Sequence, residues 1–146
     1  MTGSHSVCLS LEYISERIRR VSEEFRIVYA VVFGSLVEGR VTEESDVDIA
    51  VKLEKTPSDS RELFRTLQRL VIKLDIPNVD LVILNLAPPP LRLEALTRGR
   101  LVFCRDRYEY YEDVLSAVKW YDDWLHVRRY FEERELRKVL GGGKAP

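Results

Sequence analysis

The sequence predicts an α/β (α+β) fold in which a small mixed β-sheet is flanked by helices and followed by a long C-terminal helix. Three observations support this prediction. Short apolar runs rich in β-branched residues are typical of buried strands, and they alternate with stretches whose apolar residues recur at helical spacing. The order of these elements along the 146 residues is α-β-β-α-β-α-β-α. This mixture of a direct β-β connection and helical connections favours a mixed sheet.

The first half of the chain contains one helix and two strands. From Leu11 to Phe25 the apolar residues repeat at helical spacing, with charged residues between them. Ile27–Phe33 is a continuous apolar run that ends at Gly34, which is typical of a buried strand. In Val47–Leu53 apolar residues alternate with polar ones, which predicts a second strand.

A second helical pattern follows over Leu63–Leu74. Its apolar residues share one face, Ser58 or Asp59 is placed to cap its start, and Pro77 prevents its continuation. Val79–Leu84 is another continuous apolar run and predicts a third buried strand.

The last third of the chain contains two more helices and one strand. Prolines begin a short helix over Leu91–Thr97, which ends at Gly99. Leu101–Cys104 predicts a short fourth strand at an edge of the sheet, and one long helical pattern runs from Tyr108 to about Val139. We expect one domain over residues 1–146, with 1–10 and 141–146 flexible.

Composition and charge argue against several classes of protein. The chain has 23 Lys and Arg against 24 Asp and Glu, a formal charge of −1, so it lacks the positive excess typical of a nucleic-acid partner. No apolar run approaches the roughly 18 residues of a membrane span. Cys8 and Cys104 are too isolated to indicate a disulfide framework or a zinc site. With no signal-peptide pattern at the start, we expect a cytoplasmic protein.

The residues that indicate chemistry begin where the first strand ends. Gly34 allows the backbone to turn and approach a ligand closely, and the Ser35 hydroxyl beside exposed backbone N–H groups suits phosphate oxygens. Asp46 and Asp48 lie two residues apart on a strand, so both carboxylates point to the same face. Two such carboxylates repel each other unless a cation lies between them, and all-oxygen ligands suit Mg²⁺.

A third carboxylate is supplied by Asp80, within the apolar strand Val79–Leu84, where an unpaired buried charge is costly. If that strand neighbours the strand of Asp46 and Asp48, the three carboxylates converge. They can then bind Mg²⁺, or Asp80 can act as a base on an attacking hydroxyl. Phosphoryl and nucleotidyl transfer need little beyond positioned metals and oxygens, so these residues would be sufficient.

The spacing Gly34-Ser35-x10-Asp46-x-Asp48 resembles the signature of the DNA polymerase beta-like nucleotidyltransferase superfamily. The fuller stretch GSLVEGRVTEESDVDIAV is similar to GSxARGxxxxxSDxDxxV, the usual form in the stand-alone MNT (minimal nucleotidyltransferase) group. MntA-like members of this group are antitoxins of HEPN/MNT toxin–antitoxin modules. The specific motif covers residues 34–51 and Asp80, whereas the likeness in size and element order extends over the whole chain.

The resemblance implies a nucleotidyltransferase fold and a reaction. It implies that Gly34 and Ser35 hold the triphosphate of ATP, that Asp46 and Asp48 bind Mg²⁺, and that Asp80 is the third acidic residue. The implied reaction transfers AMP from ATP to a tyrosine of a partner HEPN toxin, which silences the toxin.

The chain departs from the family pattern where Val37-Glu38-Gly39 replaces the usual Ala-Arg-Gly. Glu38 would repel the triphosphate, and the displaced arginine, Arg40, is the residue expected to compensate by binding the nucleotide. Two other functions therefore stay open. One is a catalytically weak antitoxin that binds and occludes its partner, and the other is nucleotidyl transfer to a small molecule on the same fold.

The last helix carries two apolar stripes. At 100° per residue, one comprises Tyr111, Val114, Leu115, Val118, Tyr121 and Leu125, and the other comprises Trp120, Trp124, Val127 and Phe131. A terminal helix needs only one apolar face for its own core, so the tryptophan-containing stripe predicts a partner interface. A HEPN toxin, a homodimer contact, the folded-back N-terminal segment or the first helix would each cover it.

Overall fold

The computed structural model describes residues 10–34, 37 and 46–141, which form four helices and four strands. The helices are α1 (Leu11–Val21), α2 (Ser60–Leu74), α3 (Pro89–Arg98) and α4 (Arg107–Gly141). The strands are β1 (Ile27–Phe33), β2 (Val47–Leu53), β3 (Val79–Ile83) and β4 (Arg100–Cys104), and a short 3₁₀ turn, Leu84–Leu86, follows β3.

The four strands form one mixed sheet in the order β3-β2-β1-β4. β1 pairs antiparallel with both β2 and β4, whereas β2 and β3 are parallel because α2 connects them across one face. The predicted fold class and the edge position of the fourth strand are confirmed. β3 forms the other edge of the sheet, so the carboxylate on β3 lies at an edge.

Two apolar clusters lie on opposite faces of the sheet. One joins α1 and α2 to Ile27, Val32 and Ile49, and the other joins α3 and α4 to Val31 and Ala50. Every residue of β1 is buried, since this strand has helices on both faces and a strand on each side. A strand in that position has no polar face, which explains its continuous apolar sequence.

Local signals set the ends of α2. The Asp59 side chain accepts a hydrogen bond from the Glu62 backbone N–H at 2.8 Å, and Glu62 accepts one from the Ser58 backbone N–H at 2.9 Å. Asp75 adopts a left-handed conformation and ends the helix two residues before Pro77. Of the two predicted caps, Asp59 is therefore the one that occupies the N-cap position.

Two predictions made from the apolar pattern are wrong in detail. α1 ends at Val21, four residues before the end of its apolar stripe, although Phe25 is still buried in the core. β3 is only half-buried, and Asp80 is exposed, because no described strand lies on the outer side of β3. Apolar sequence alone does not distinguish an edge strand from a central one.

The rotation of α4 about its axis also differs from the prediction. Tyr111, Leu115 and Val118 were expected in the core but are exposed, and the helix packs along the line of Val114 and Ala117 instead. A polar anchor fixes this rotation. The Tyr29 hydroxyl donates to Asp113 at 2.7 Å, and the Lys52 ammonium group pairs with the same carboxylate. The side chains of Lys52 and Asp113 are only 15% and 17% exposed.

No helix in the described part of the chain is both long enough and apolar enough to span a membrane.

Leu70 and Ile72 provide a matched test of the packing of α2. Leu70 is fully buried against the sheet, whereas Ile72 on the same helix is 73% exposed. We expect Leu70→Ala to lower the free energy of unfolding by about 3 kcal/mol because it leaves a cavity. Ile72→Ala should change it by less than about 0.5 kcal/mol. Urea titration followed by circular dichroism measures both, and equal losses would contradict this packing.

Candidate active site

The parallel pairing of β2 and β3 places two of the three predicted carboxylates side by side. Asp48 and Asp80 are direct partners in the register, one at the start of each strand. The charge of Asp80 acts directly on Asp48. Asp46 immediately precedes β2 and is exposed, and its charge acts on Asp48. β2 and β3 are therefore neighbours, which is the condition under which the sequence predicts that the carboxylates converge.

The negative charges near this sheet edge disfavour ionisation of Asp48. The pKa of Asp48 is raised from 3.8 to about 6, first by burial and then by the charges of Asp80 and Asp46, with the hydrogen bond to Asp80 adding to the shift. Glu94 raises it further. A site that accumulates carboxylates in this way has a net affinity for cations.

Glu94 was not identified from the sequence. It lies on α3, outside the motif, and its charge acts on Asp48 because α3 packs against the end of β1, with Ala95 and Leu96 in the same cluster as Phe33. The exposed position of Glu94 on a short amphipathic helix is typical of a solvated surface residue, so the sequence contains no signal that would have identified it.

Gly34 lies against Asp48. Its φ angle of 81° is in the left-handed region, and a Cβ atom added to it would lie 2.2 Å from Asp48 Oδ2. Glycine is thus needed both for the backbone turn and for the close approach to the carboxylate. This places the end of β1 beside Asp48. Ser35, Arg40 and Glu38 lie outside the described residues.

The donor set suits a hard divalent cation. Within residues 10–34, 37 and 46–141, no group of three or more His, Cys, Asp or Glu side chains is arranged to hold a metal by itself. The adjacent carboxylates of Asp48 and Asp80, with Asp46 nearby, nevertheless provide the oxygen ligands that Mg²⁺ prefers. Mg²⁺ commonly takes one or two carboxylates from the protein and completes its coordination with water and substrate phosphates.

The predicted partner surface on α4 lies at the opposite end of the sheet. Trp120 stacks under the Arg92 guanidinium at 5.0 Å, and Arg92 donates to the Leu84 carbonyl at 2.9 Å. Leu84 follows the end of β3, whereas Asp80 lies near its start, a separation of about 13 Å along the strand. The structure therefore does not bring this surface to the carboxylates.

The side chains of that surface are mostly accessible. Trp120, Val127 and Phe131 are exposed, and Trp124 is half-buried against Tyr121. α1 packs against the opposite face of the sheet and does not cover them. Residues 1–9, the other segment of this chain expected to cover the stripe, lie outside the described residues.

The site geometry agrees with a comparison against protein-family models. The family described as polymerase beta, nucleotidyltransferase matches residues 16–108, which include both strands with carboxylates. The chain belongs to the polymerase beta nucleotidyltransferase family. No curated protein matches the sequence.

Several solved structures share the fold of this nucleotidyltransferase-family chain. A chain in the crystal structure of a toxin–antitoxin with AMP-PNP is 22% identical, with a TM-score of 0.66, over 84% of this chain and 98% of that one. A chain in the structure of the tri-AMPylated Shewanella oneidensis HEPN toxin in complex with MNT antitoxin is 20% identical, with a TM-score of 0.64, over 87% and 99%. A chain of the toxin–antitoxin MntA–HepT is 21% identical, with a TM-score of 0.62, over 84% and 97%. These similarities show a shared fold.

Replacing Asp48 by Asn should stabilise the metal-free protein at neutral pH. Because the folded-state pKa of Asp48 is about 6, above its ordinary 3.8, the ionised carboxylate destabilises the fold, fully so above pH 6. Asp48 is only half-buried, so solvent screening reduces the expected gain to about 1 kcal/mol, or about 3 °C in Tm.

This gain should decline as the pH falls from 6 to 4, where the native carboxyl is already protonated. Thermal denaturation at several pH values measures it, with Glu112→Gln, an exposed carboxylate of α4, as the control. A gain of equal size at pH 7.5 and pH 4 would contradict the assigned cause.

Proposed function

We propose that the protein is a Mg²⁺-dependent nucleotidyltransferase that transfers AMP from ATP to a tyrosine of a HEPN toxin and thereby neutralises it in the cytoplasm, where ATP is available. The observation that carries the proposal is the pairing of Asp48 with Asp80 at a free sheet edge, beside the turn at Gly34. The similar structures of a toxin–antitoxin with AMP-PNP and of an AMPylated HEPN toxin with its MNT antitoxin support the choice of nucleotide and partner.

The reaction is an in-line substitution at the α-phosphorus of ATP. The tyrosine oxygen forms a bond to that phosphorus, and the bond to the oxygen that bridges the α- and β-phosphates breaks. Pyrophosphate leaves with that bridging oxygen, and the phenolic proton passes to a carboxylate. Asp80 is the candidate acceptor because it is exposed at the edge and lies directly beside Asp48.

The site residues, Asp80 included, also have binding roles in this proposal. Asp46, Asp48 and Asp80 would hold Mg²⁺, which neutralises phosphate charge and the charge of the leaving pyrophosphate. Gly34 and Ser35 would contact the triphosphate through backbone N–H groups and the hydroxyl. Arg40 would supply the positive charge that the arginine of the usual family motif provides at the position where this chain has Glu38.

The exposure of the site favours a protein acceptor. β3 is an edge strand, and the side chain of Asp80 is open to solvent on that edge. A tyrosine carried on a protruding segment can reach such an edge without entering a cavity. A small-molecule acceptor would need walls on the outer side of β3, and among the described residues no element lies there.

A second candidate function is neutralisation by binding alone. The observation that favours it is the exposed apolar surface of α4, with Trp120, Val127 and Phe131, which is independent of the carboxylates. In that case the toxin is occluded, and substitutions on α4 matter while those at Asp48 do not.

Labelling distinguishes the two functions. With ATP labelled on the α-phosphate, Mg²⁺ and a host-cell extract shown to contain the HEPN partner, the wild-type chain should label the toxin. Asp48→Ala should reduce the initial labelling rate more than about 100-fold, since metal-held phosphates contribute several kcal/mol to transition-state binding. Glu112→Ala, which removes an exposed carboxylate far from the motif, should retain full activity.

The identity of the acceptor is tested by changing the labelled tyrosine of the toxin to Phe, which should abolish labelling. Toxin that is neutralised by wild-type and Asp48→Ala protein alike, without any label, would contradict transfer and support occlusion. Label that persists at the wild-type rate in Asp48→Ala would contradict the assignment of the site.

A further inference from the structure

The second half of α4 extends beyond the other described residues. From His126 to Leu140 every residue is exposed, a length of about 22 Å. Apolar side chains are nonetheless frequent in this segment, and Phe131, Leu136 and Val139 are each more than half exposed. An isolated helix that presents such residues to water is unfavourable, because burying each of them would contribute about 1.5–3 kcal/mol.

These apolar residues border a shallow groove along one side of α4. The groove is lined by Arg128, Phe131, Glu132, Glu135, Leu136 and Val139. Glu135 lies 18 residues after Ala117, which is five helical turns, so both point in the same direction from the axis. The line along which α4 packs on its own domain therefore continues, beyond the domain, as a groove that no described residue fills.

The charges in the groove are complementary to those of a second, antiparallel copy. Arg128 and Arg129 precede Glu132 by about one turn, and Arg128 Nε lies 2.8 Å from Glu132 Oε2 within the chain. If two copies of α4 cross in opposite directions at Tyr130, the arginines of each copy lie beside Glu132 of the other. A parallel arrangement would place like charges together, which is unfavourable.

The apolar residues match in the same arrangement. Tyr121 of one copy meets Val139 of the other, and Trp124 meets Leu136, since each pair is symmetric about Tyr130 in the sequence. Tyr121 and Trp124 are stacked with their ring centroids 5.8 Å apart, so one preformed aromatic unit enters the groove of the second copy. Aromatic residues of this kind are common interface anchors because they bury a large area at little entropic cost.

We infer that the protein forms a homodimer through an antiparallel pairing of the second halves of two α4 helices, centred on Tyr130. The location of this surface also favours a second copy, since Trp120 and the helix beyond it lie at the end of the sheet opposite Asp48 and Asp80. A dimer formed there leaves both carboxylate edges free for a substrate. This inference does not depend on the proposed transfer of AMP.

Charge reversal tests the antiparallel register. The first variant, Arg128→Glu with Arg129→Glu, and the second, Glu132→Arg, each place like charges together in a homodimer. Each should weaken dimerisation at least about 100-fold. An equimolar mixture of the two variants restores opposite charges at both ends and should dimerise, as should a single chain carrying Arg128→Glu and Glu132→Arg.

Light scattering and fluorescence give two independent measurements. The wild-type chain should have twice the mass of the 17.0 kDa monomer, and dilution should shift tryptophan emission to longer wavelength, because both tryptophans of the chain lie on α4. Arg137→Glu, on the side of α4 away from the groove, is the matched control and should leave the dimer intact.

A monomeric wild-type chain at high concentration would overturn the inference. If the variant with Arg128→Glu and Arg129→Glu and the variant with Glu132→Arg both still dimerise, the antiparallel register is contradicted. The register is also contradicted if both variants lose the dimer and an equimolar mixture of them does not restore it. If the same variants instead abolish binding of a HEPN toxin to a monomeric chain, the groove belongs to that partner and the homodimer is contradicted.

Discussion

The parallel pairing of β2 with β3 is the constraint on which the chemistry of this protein depends. It places Asp80 directly opposite Asp48, and it does so at a sheet edge, where one carboxylate is half-buried and the other is open to solvent. Their mutual repulsion, increased by Asp46 and Glu94, makes the edge unfavourable when every group is ionised. In the proposed function, a cation bound with a phosphate substrate would relieve that repulsion, so the cost of assembling the carboxylates would become affinity for the metal–nucleotide complex.

A second polar interaction determines what the other end of the molecule presents. Asp113 accepts a hydrogen bond from Tyr29 and pairs with Lys52, so it fixes how α4 is rotated against the sheet. Burial first, and then the neighbouring Asp113, raise the pKa of Tyr29 well above its usual range, which keeps the hydroxyl protonated as a donor. With this rotation the buried line of α4 continues into the groove around Glu135. The sheet edge that carries Asp48 and Asp80 and the exposed second half of α4 thus lie at opposite ends of one sheet.

Much of this arrangement follows from local sequence, and the remainder depends on tertiary contacts. The strands, the cap at Asp59 and the approach of Asp48 to Asp80 were predictable, because they depend on short apolar runs, side-chain capping and strand order. The exposure of Asp80 was missed because apolar periodicity does not reveal which strand lies at an edge. The outward orientation of Leu115 was missed for a similar reason, since the ion pair that rotates α4 involves residues 61 positions apart. Glu94 joins the site only through the crossing of α3.

The central claim is that Asp48 and Asp80 together hold a metal–nucleotide complex at this edge. Its most direct test is a crystal structure of the chain with Mn²⁺ and a non-hydrolysable ATP analogue, using the anomalous signal of manganese to locate the ion. We expect a manganese peak bonded to carboxylate oxygens of Asp48 and Asp80, with the α-phosphate of the analogue as a further ligand. A nucleotide bound elsewhere, or a metal that contacts neither carboxylate, would contradict it.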